Sequence, residues 1–264
     1  MQTVRLGHVE IGEGRPCIIV PLTSASLDGL MDEAMALSDL PAELAEWRID
    51  MLEGAVQDTP EGPMPDLPYI LQVLAGLRTV LPVALLATFR TEEEGGSCPL
   101  CDAGYEALCR ALCDSRNIDL LDVEAFHRSG RAAELVNYAH EKHIPVVASF
   151  HDFDATPSKE DIVGRLCWMQ DELHADIVKA AVMPQSRADV LTLLAATEEM
   201  STNHARVPVI TMSMGPLGVV SRVCGQSFGS AASFGSAGHA SAPGQLDVEA
   251  LDTVLGILDE AAQG

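Results

Sequence analysis

The chain has 264 residues, 47% of them hydrophobic, enough for one large domain with a substantial core. Its 39 acidic and 16 basic residues leave a formal net charge of −23. Nucleic acid and anionic membrane surfaces are therefore repelled, unless a local basic site is hidden inside.

The first residues, from Met1 to His8, lack the apolar core of a signal peptide. Residues 4–11, followed by Gly12-Glu13-Gly14, read as a small hairpin. Apolar, β-branched-rich runs then appear at 17–22, 44–49, 83–89, 118–123, 144–150, 176–182, 207–213 and 231–234, the last weak and rich in Gly and Ser. Amphipathic stretches alternate with them at 27–38, 66–80, 101–115, 129–142, 158–173, 186–203, 216–224 and 247–261. No apolar run is long enough to span a bilayer as a helix. Strands alternating with helices imply parallel pairing through right-handed crossovers. Eight such units in this length suit an α/β (β/α)8 TIM barrel: one catalytic domain over 1–264, its bottom closed by the leading hairpin. A doubly wound open sheet is the alternative fold, but no Gly-x-Gly-x-x-Gly turn follows the first strand. Seven unevenly spaced cysteines make no disulfide framework and point to a reducing, cytoplasmic setting.

A barrel enzyme carries its chemistry at the C-terminal strand ends and in the loops that follow. Polar residues gather there. They are Glu46, Arg48 and Asp50; Arg90 with Glu92-Glu93-Glu94-Gly95-Gly96; Asp122 and Glu124; Ser149, His151 and Asp152; then Lys179, Arg222 and Ser241 to Gln245. Each alone reads equally as a cap, a solvated loop or a satisfied core group; their joint placement at one rim favours an enzyme. Lys179 is the most telling. The chain has three lysines, and Lys142 and Lys159 lie in polar, helix-like stretches. An ammonium inside Ile177-Val178-Lys179-Ala180-Ala181-Val182 must be paired, must neutralise or must react. A desolvated amine loses its proton more easily and attacks carbonyls to form imines. The plain alternative is a strand-end lysine whose head group snorkels to water.

Six segments in order carry a resemblance. They are Glu46-Trp47-Arg48; Thr88-Phe89-Arg90 with Glu94-Gly95-Gly96; Ser149-Phe150-His151-Asp152-Phe153 with Thr156-Pro157; and Ala175-Asp176-Ile177-Val178-Lys179. Met212-Ser213-Met214-Gly215 with Ser221-Arg222, and Ser241-Ala242-Pro243-Gly244-Gln245, complete the set. Over essentially the whole chain the sequence resembles the type I 3-dehydroquinate dehydratase family of the shikimate pathway. The resemblance implies a hydro-lyase acting on 3-dehydroquinate, with Lys179 forming the imine, His151 as general acid and base, and Glu94 orienting His151. It implies that Glu46, Arg48 and Arg90 bind the ring hydroxyls and the carbonyl end. Met212 walls the ring, Arg222 clamps the carboxylate, and Ser241 and Gln245 are lid contacts, with the loop 225–244 as the surrounding segment. It also implies a homodimer without cofactor or metal, acting on a small molecule, with no nucleic-acid or membrane partner.

The cysteines stand outside that pattern. Cys98 and Cys101 follow the Glu94 loop, with Cys109 and Cys113 on the next helix. Four cysteines suffice for zinc, but nothing in their spacing makes the two pairs meet, and the reading is of no metal. Two rival functions remain open at this stage. A class I aldolase of the transaldolase kind shares the barrel and the lysine, yet needs a phosphate site, for which the Gly/Ser-rich residues 225–238 are the candidate. A barrel retained only for binding finds no support, since every charged residue named above is present.

Overall fold

Runs buried on both faces make the central strands, because one set of alternate side chains faces a barrel interior and the other a layer of helices. The computed structural model describes residues 2–238 and 241–263. An antiparallel hairpin, β1 (Val4–Leu6) and β2 (Val9–Ile11), opens the chain and turns at Gly7, whose φ is 61°. Two barrel strands follow, β3 (Cys17–Leu22) and β4 (Leu44–Arg48), and then an outlying hairpin, β5 (Val56–Thr59) and β6 (Gly62–Pro65). The other barrel strands are β7 (Ala84–Thr88), β8 (Leu120–Glu124), β9 (Val146–Asp152), β10 (Ile177–Val182), β11 (Val209–Ser213) and β12 (Ala232–Ser236). A two-residue strand, β13 (Leu246–Asp247), extends the edge of β12.

After each barrel strand comes a helix: α1 (Leu27–Ala36), α2 (Leu67–Val80), α3 (Asp102–Ser115), α4 (Ala132–Glu141), α5 (Lys159–Asp171), α6 (Arg187–Glu199), α7 (Gly215–Cys224) and α8 (Val248–Gln263). Side-chain caps start several of them. Ser26 accepts from the Gly29 N–H, Asp66 from Tyr69 and Ser158 from Asp161. The strands pair in parallel in the order β11-β10-β9-β8-β7-β4-β3-β12. A parallel bridge between Val209 and Ser230 closes the ring, with the Ala231 N–H donating to the Val209 carbonyl at 2.7 Å. The expected (β/α)8 barrel is the fold observed.

The interior is layered by a period of two. Leu44, Leu86, Leu120, Val147, Ile177 and Ile210 fill its lower end, and Leu6, Val9 and Ile11 of the hairpin pack against them. The hairpin thus plugs the bottom, as expected. Two residues further along the strands stand Glu46, Thr88, Asp122, Ser149, Lys179, Met212 and Phe234, all buried. Two further still come Arg48, Arg90, Glu124, His151, Ala181 and Met214. The barrel therefore changes from apolar to charged within one turn of the pleat. A separate apolar layer lies between strands and helices, with Trp47, Leu85, Val123 and Val178 facing Leu74, Leu108 and Leu166.

Strand and structure differ from expectation at some edges. The 44–49 run stops at Arg48, because Ile49–Met51 tightens into a 3-10 turn that buries Asp50. The 144–150 run slides forward to end at Asp152, which puts His151 inside the strand. The weak 231–234 run is a strand, fully buried despite its small residues. The 186–203 stretch is helical only to Glu199, then makes a π turn at Met200–His204. Residues 239 and 240 of the expected lid lie outside the described residues. Among the described residues, no helix is long and apolar enough to cross a membrane.

Candidate active site

One pocket opens at the C-terminal rim of the barrel, with about 550 Å3 of atom-free space that is partly open to solvent. Lys179, His151, Glu94, Glu46, Arg48, Arg90, Met212, Arg222, Ser241 and Gln245 all line it. The structure thus brings together all ten residues given a catalytic or binding role from the sequence, from six different strands or the segments after them. Gly95, Phe153, Ala181, Met214, Phe234 and Ala242 complete the wall.

Lys179 lies at the pocket floor, 4% exposed. It does not snorkel to water. Its Nζ is 3.9 Å from Glu46 Oε1, longer than a hydrogen bond, and 4.6 Å from the centre of the Phe234 ring. Burial lowers the pKa of the amine; Glu46 and Asp122 pull it back up, while Arg90 and Arg48 lower it further. Glu46 is itself held by the Thr88 hydroxyl, which donates to Oε1 at 3.1 Å.

His151 and Glu94 form a tight pair. His151 Nδ1 is 2.9 Å from Glu94 Oε2, and the His151 main-chain N–H donates to the same oxygen at 3.2 Å. Burial pushes the imidazole well below its ordinary pKa, and the charges of Arg90, Lys179 and Arg48 push the same way. The ring is therefore neutral at neutral pH. Burial also raises Glu94 well above the ordinary carboxylate range, with Arg90 opposing and Glu124 and Asp122 adding to the rise.

Behind this pair stands Arg90. Its Nη1 donates to Glu94 at 3.3 Å, Glu124 at 3.0 Å and the Ser149 hydroxyl at 3.0 Å, and its Nη2 to Asp122 at 2.9 Å. Burial alone would lower the guanidinium pKa, but Asp122, Glu124 and Glu94 reverse that and raise it. Ser149 also donates to Asp122 Oδ1 at 2.8 Å, while Asp122 Oδ2 is buried with no partner. Arg90 was expected to bind substrate; its terminal nitrogens are already held by protein carboxylates before any substrate arrives.

Arg48 is fixed differently. Its Nε and Nη2 make a bidentate pair with Asp50, both contacts at 2.8 Å. Asp50 also accepts from the main-chain N–H of Arg90 at 3.2 Å and of Ser97 at 3.1 Å. One buried carboxylate therefore sets Arg48 and anchors the loop that carries Glu94. Close approach shapes that loop. A Cβ on Gly96 would stand 1.8 Å from the Arg90 carbonyl oxygen, and Gly95 has φ 84° with the Phe153 ring in the way of a side chain.

Arg222 has no acid. Nη2 donates to the Pro243 carbonyl at 3.1 Å, Nη1 contacts the Met212 sulfur at 3.6 Å, and Nε is buried without a partner. Burial alone lowers its pKa to about 10, so it is still a cation at neutral pH. Such a guanidinium is a site for a small anion inside an acidic protein. Over it, the Ser241 N–H donates to Gln245 Oε1 at 2.8 Å, and Gln245 Nε2 donates to the Ser241 hydroxyl at 2.9 Å.

A buried amine, a neutral imidazole held by a carboxylate, and an unpaired guanidinium suit chemistry on a small acid bearing a carbonyl. Phe234 was not among the residues chosen from the sequence, and Asp50 was placed at the rim without a role. Asp50 lies two residues past Arg48, the spacing that marked Glu46 and Arg48; Phe234 sits in the weakest strand run and carried no signal. The cysteines do not converge on a metal. Cys98 Sγ donates to the Asp50 carbonyl at 3.3 Å, Cys101 caps α3 through the Gly104 N–H, and Cys109 and Cys113 are buried. Among the described residues no group of three or more His, Cys, Asp or Glu side chains is placed to hold a metal ion.

Comparisons with known proteins bear on this site. A family model described as type I 3-dehydroquinase matches residues 18–262. A 3-dehydroquinate dehydratase of Clostridioides difficile is 42% identical over 259 residues, 98% of each chain. One of Salmonella paratyphi B is 44% identical over 262 residues, covering 99% of this chain and 100% of its own. A solved type I 3-dehydroquinate dehydratase from Clostridium difficile, bearing covalently modified comenic acid, superimposes with a TM-score of 0.91 at 42% identity, over 98% of this chain and 99% of that one. The enzyme from Geobacillus kaustophilus gives 0.89 at 35% identity, over 98% and 97%.

Proposed function

The chain belongs to the type I 3-dehydroquinase family, and we propose that it dehydrates 3-dehydroquinate to 3-dehydroshikimate through an imine formed on Lys179. One observation carries the reading. A buried lysine, a neutral histidine and an unpaired arginine open into the same pocket.

The substrate is a cyclic hydroxyketone with a carboxylate. Arg222 takes the carboxylate, offering a buried guanidinium that no protein carboxylate neutralises. The ketone then meets Lys179, whose amine burial makes easier to deprotonate. His151 takes the proton the ammonium gives up, nitrogen adds to the carbonyl carbon, the oxygen leaves as water with that proton returned by His151, and a protonated imine remains. That cation is an electron sink. His151 removes the proton beside the imine carbon, and the electron pair moves to nitrogen as a neutral enamine. With Nδ1–H donated to Glu94, Nε2 is the free base. The pair then flows back and expels the hydroxyl one carbon further on, which leaves as water with the proton His151 carried. Water hydrolyses the second imine, releasing product and restoring the amine. Over the cycle, one water is lost.

Other groups support the positions of these three. Glu46 sets the charge opposite Lys179, and Asp50 fixes Arg48 toward the ring hydroxyls. Arg90 steadies Glu94. Met212 packs under the ring, and Ser241 with Gln245 forms part of the lid. The family reading includes a homodimer working in the cytoplasm, one catalytic unit over 1–264 and no cofactor; light scattering on the purified chain tests the assembly.

The deciding experiment is borohydride reduction in the presence of 3-dehydroquinate, followed by peptide mapping. The expected result is a reduced adduct on Lys179, with neither adduct nor turnover in Lys179→Ala. An adduct elsewhere, or turnover retained by Lys179→Ala, refutes the mechanism.

A further inference from the structure

The cation of Lys179 lies over a ring, with no carboxylate in direct hydrogen-bond contact. Nζ is 4.6 Å from the Phe234 centroid, within the range of a cation–π contact. Both side chains are nearly sealed from water, at 4% and 3% exposure, and desolvation strengthens this attraction. Lys179 is on β10 and Phe234 on β12, two strands round the barrel. Glu46, the nearer carboxylate, comes from β4 on the opposite wall, at 3.9 Å. Nitrogen therefore sits between a charge kept at a distance and an aromatic face.

We propose that Phe234 is a catalytic residue of this site: its ring face holds the nitrogen cation, first of the Lys179 ammonium and then of the imine. The proposal rests on the imine mechanism given above. Its chemical logic is one of graded strength. A carboxylate in direct hydrogen bond would keep the proton on the amine and block attack. A ring attracts the cation more weakly and accepts no proton, so the amine is released when it must react. Once the imine forms, its positive nitrogen occupies the same place over the same face. The ring favours each step that makes this cation: loss of water from the addition product, and expulsion of hydroxyl from the enamine. It opposes the steps that consume the cation, removal of the ring proton by His151 and addition of water to the final imine. Turnover alone therefore mixes opposing effects, and the protonation equilibrium of the nitrogen is the clean observable.

Fluorination tests this with little change of shape. Phe234 is replaced by phenylalanine carrying one, two, three and five ring fluorines, which drain the negative potential from the ring face in steps. The readout is the pH dependence of borohydride-trapped adduct on Lys179, with 3-dehydroquinate as the probe. Weaker support for the cation lowers the amine pKa. The rising limb of trapping should therefore move to lower pH with each fluorine, by about 0.5 to 1.5 pH units across the series. Phe234→Leu should fall at the end of that progression. A flat or reversed series with trapping intact overturns the role of the ring and leaves the imine standing. Absence of any adduct in the unsubstituted protein overturns the imine reading itself, and this proposal with it.

Discussion

Replacing Arg222 by methionine should make the protein more stable and a much poorer catalyst. The stability side follows from burial. The guanidinium is 2% exposed, makes no ion pair, and has its pKa lowered to about 10 by burial alone. At 1.36 kcal/mol for each pH unit below the ordinary guanidinium value, that is a penalty of about 3 kcal/mol. The sign is fixed by linkage. The unfolded chain holds the proton more tightly, so the penalty is complete at every pH below about 10 and disappears only as the guanidinium neutralises above it. Methionine removes the charge and keeps much of the apolar stem. It forfeits the hydrogen bond to the Pro243 carbonyl, worth about 1.5 kcal/mol, the low end for a charged donor. The net gain is about 1–2 kcal/mol, or roughly 2–8 °C in Tm for a chain of this size.

The catalytic side runs the other way. Truncating one partner of a buried charge pair costs about 2–5 kcal/mol, because the other charge is left unpaired. For the carboxylate of bound 3-dehydroquinate that is roughly a 30- to 5,000-fold loss in kcat/KM. Thermal unfolding at a fixed scan rate and steady-state dehydration of 3-dehydroquinate measure the two. A lowered Tm would show that Arg222 is held by contacts that outweigh its burial. A kcat/KM within tenfold of the parent would show that the substrate carboxylate binds elsewhere.

Glu94→Gln keeps the shape of the side chain that contacts Nδ1 of His151 but not the charge that steadies a protonated imidazole. A charged hydrogen bond contributes about 1.5–3 kcal/mol, so kcat should fall roughly 10- to 100-fold while the Lys179 adduct still forms under borohydride; loss of trapping with normal turnover would contradict the assignment. The lowered pKa of His151 predicts that its imidazole keeps a neutral signature in 15N NMR as the pH passes down through about 6.5, where a free imidazole gains its proton. A midpoint at or above that value would mean that Glu94 stabilises the cation more than burial disfavours it. Gly96→Ala places a methyl against the Arg90 carbonyl, a main-chain atom with little freedom to move. It should cost about 1–3 kcal/mol of stability and reduce kcat by displacing the Glu94 loop; an unchanged melting curve would show that the loop is held less tightly than the distances imply.

The features legible in the sequence share a local spacing. Each barrel strand is buried on both faces, so its apolar run is continuous and easy to see. Functional groups two residues apart on one strand must share a face, which marks Glu46 with Arg48 and Ser149 with His151. Contacts made across the barrel leave no such mark. Arg90 meets Asp122 and Ser149 from 32 and 59 residues away, and nothing near position 90 tells which carboxylates will hold it. The outlying hairpin β5 and β6 escaped notice because Val56 to Pro65 contains three prolines and no alternation. The run Glu92-Glu93-Glu94 shows the limit most clearly. Composition does not separate the three, and only the spacing to Arg90 and the Gly-Gly pair picks out Glu94; the 3-10 turn buries it against His151 and leaves Glu93 outside, paired with Arg128.

Charge placement joins these observations. The chain as a whole is strongly acidic and would repel the anion it is proposed to bind. Within the pocket, Arg48 is matched by Asp50, and Arg90 by Asp122, Glu124 and Glu94, so neither leaves a free positive charge. Lys179 has Glu46 across the barrel and must give up its proton to react. Among the described residues of the pocket, Arg222 alone has no carboxylate beside it. On the proposed reading, selection for an acid depends on one arginine whose burial works against the fold. The paired arginines fix the geometry around His151 and Glu94 without competing with Arg222 for the substrate carboxylate.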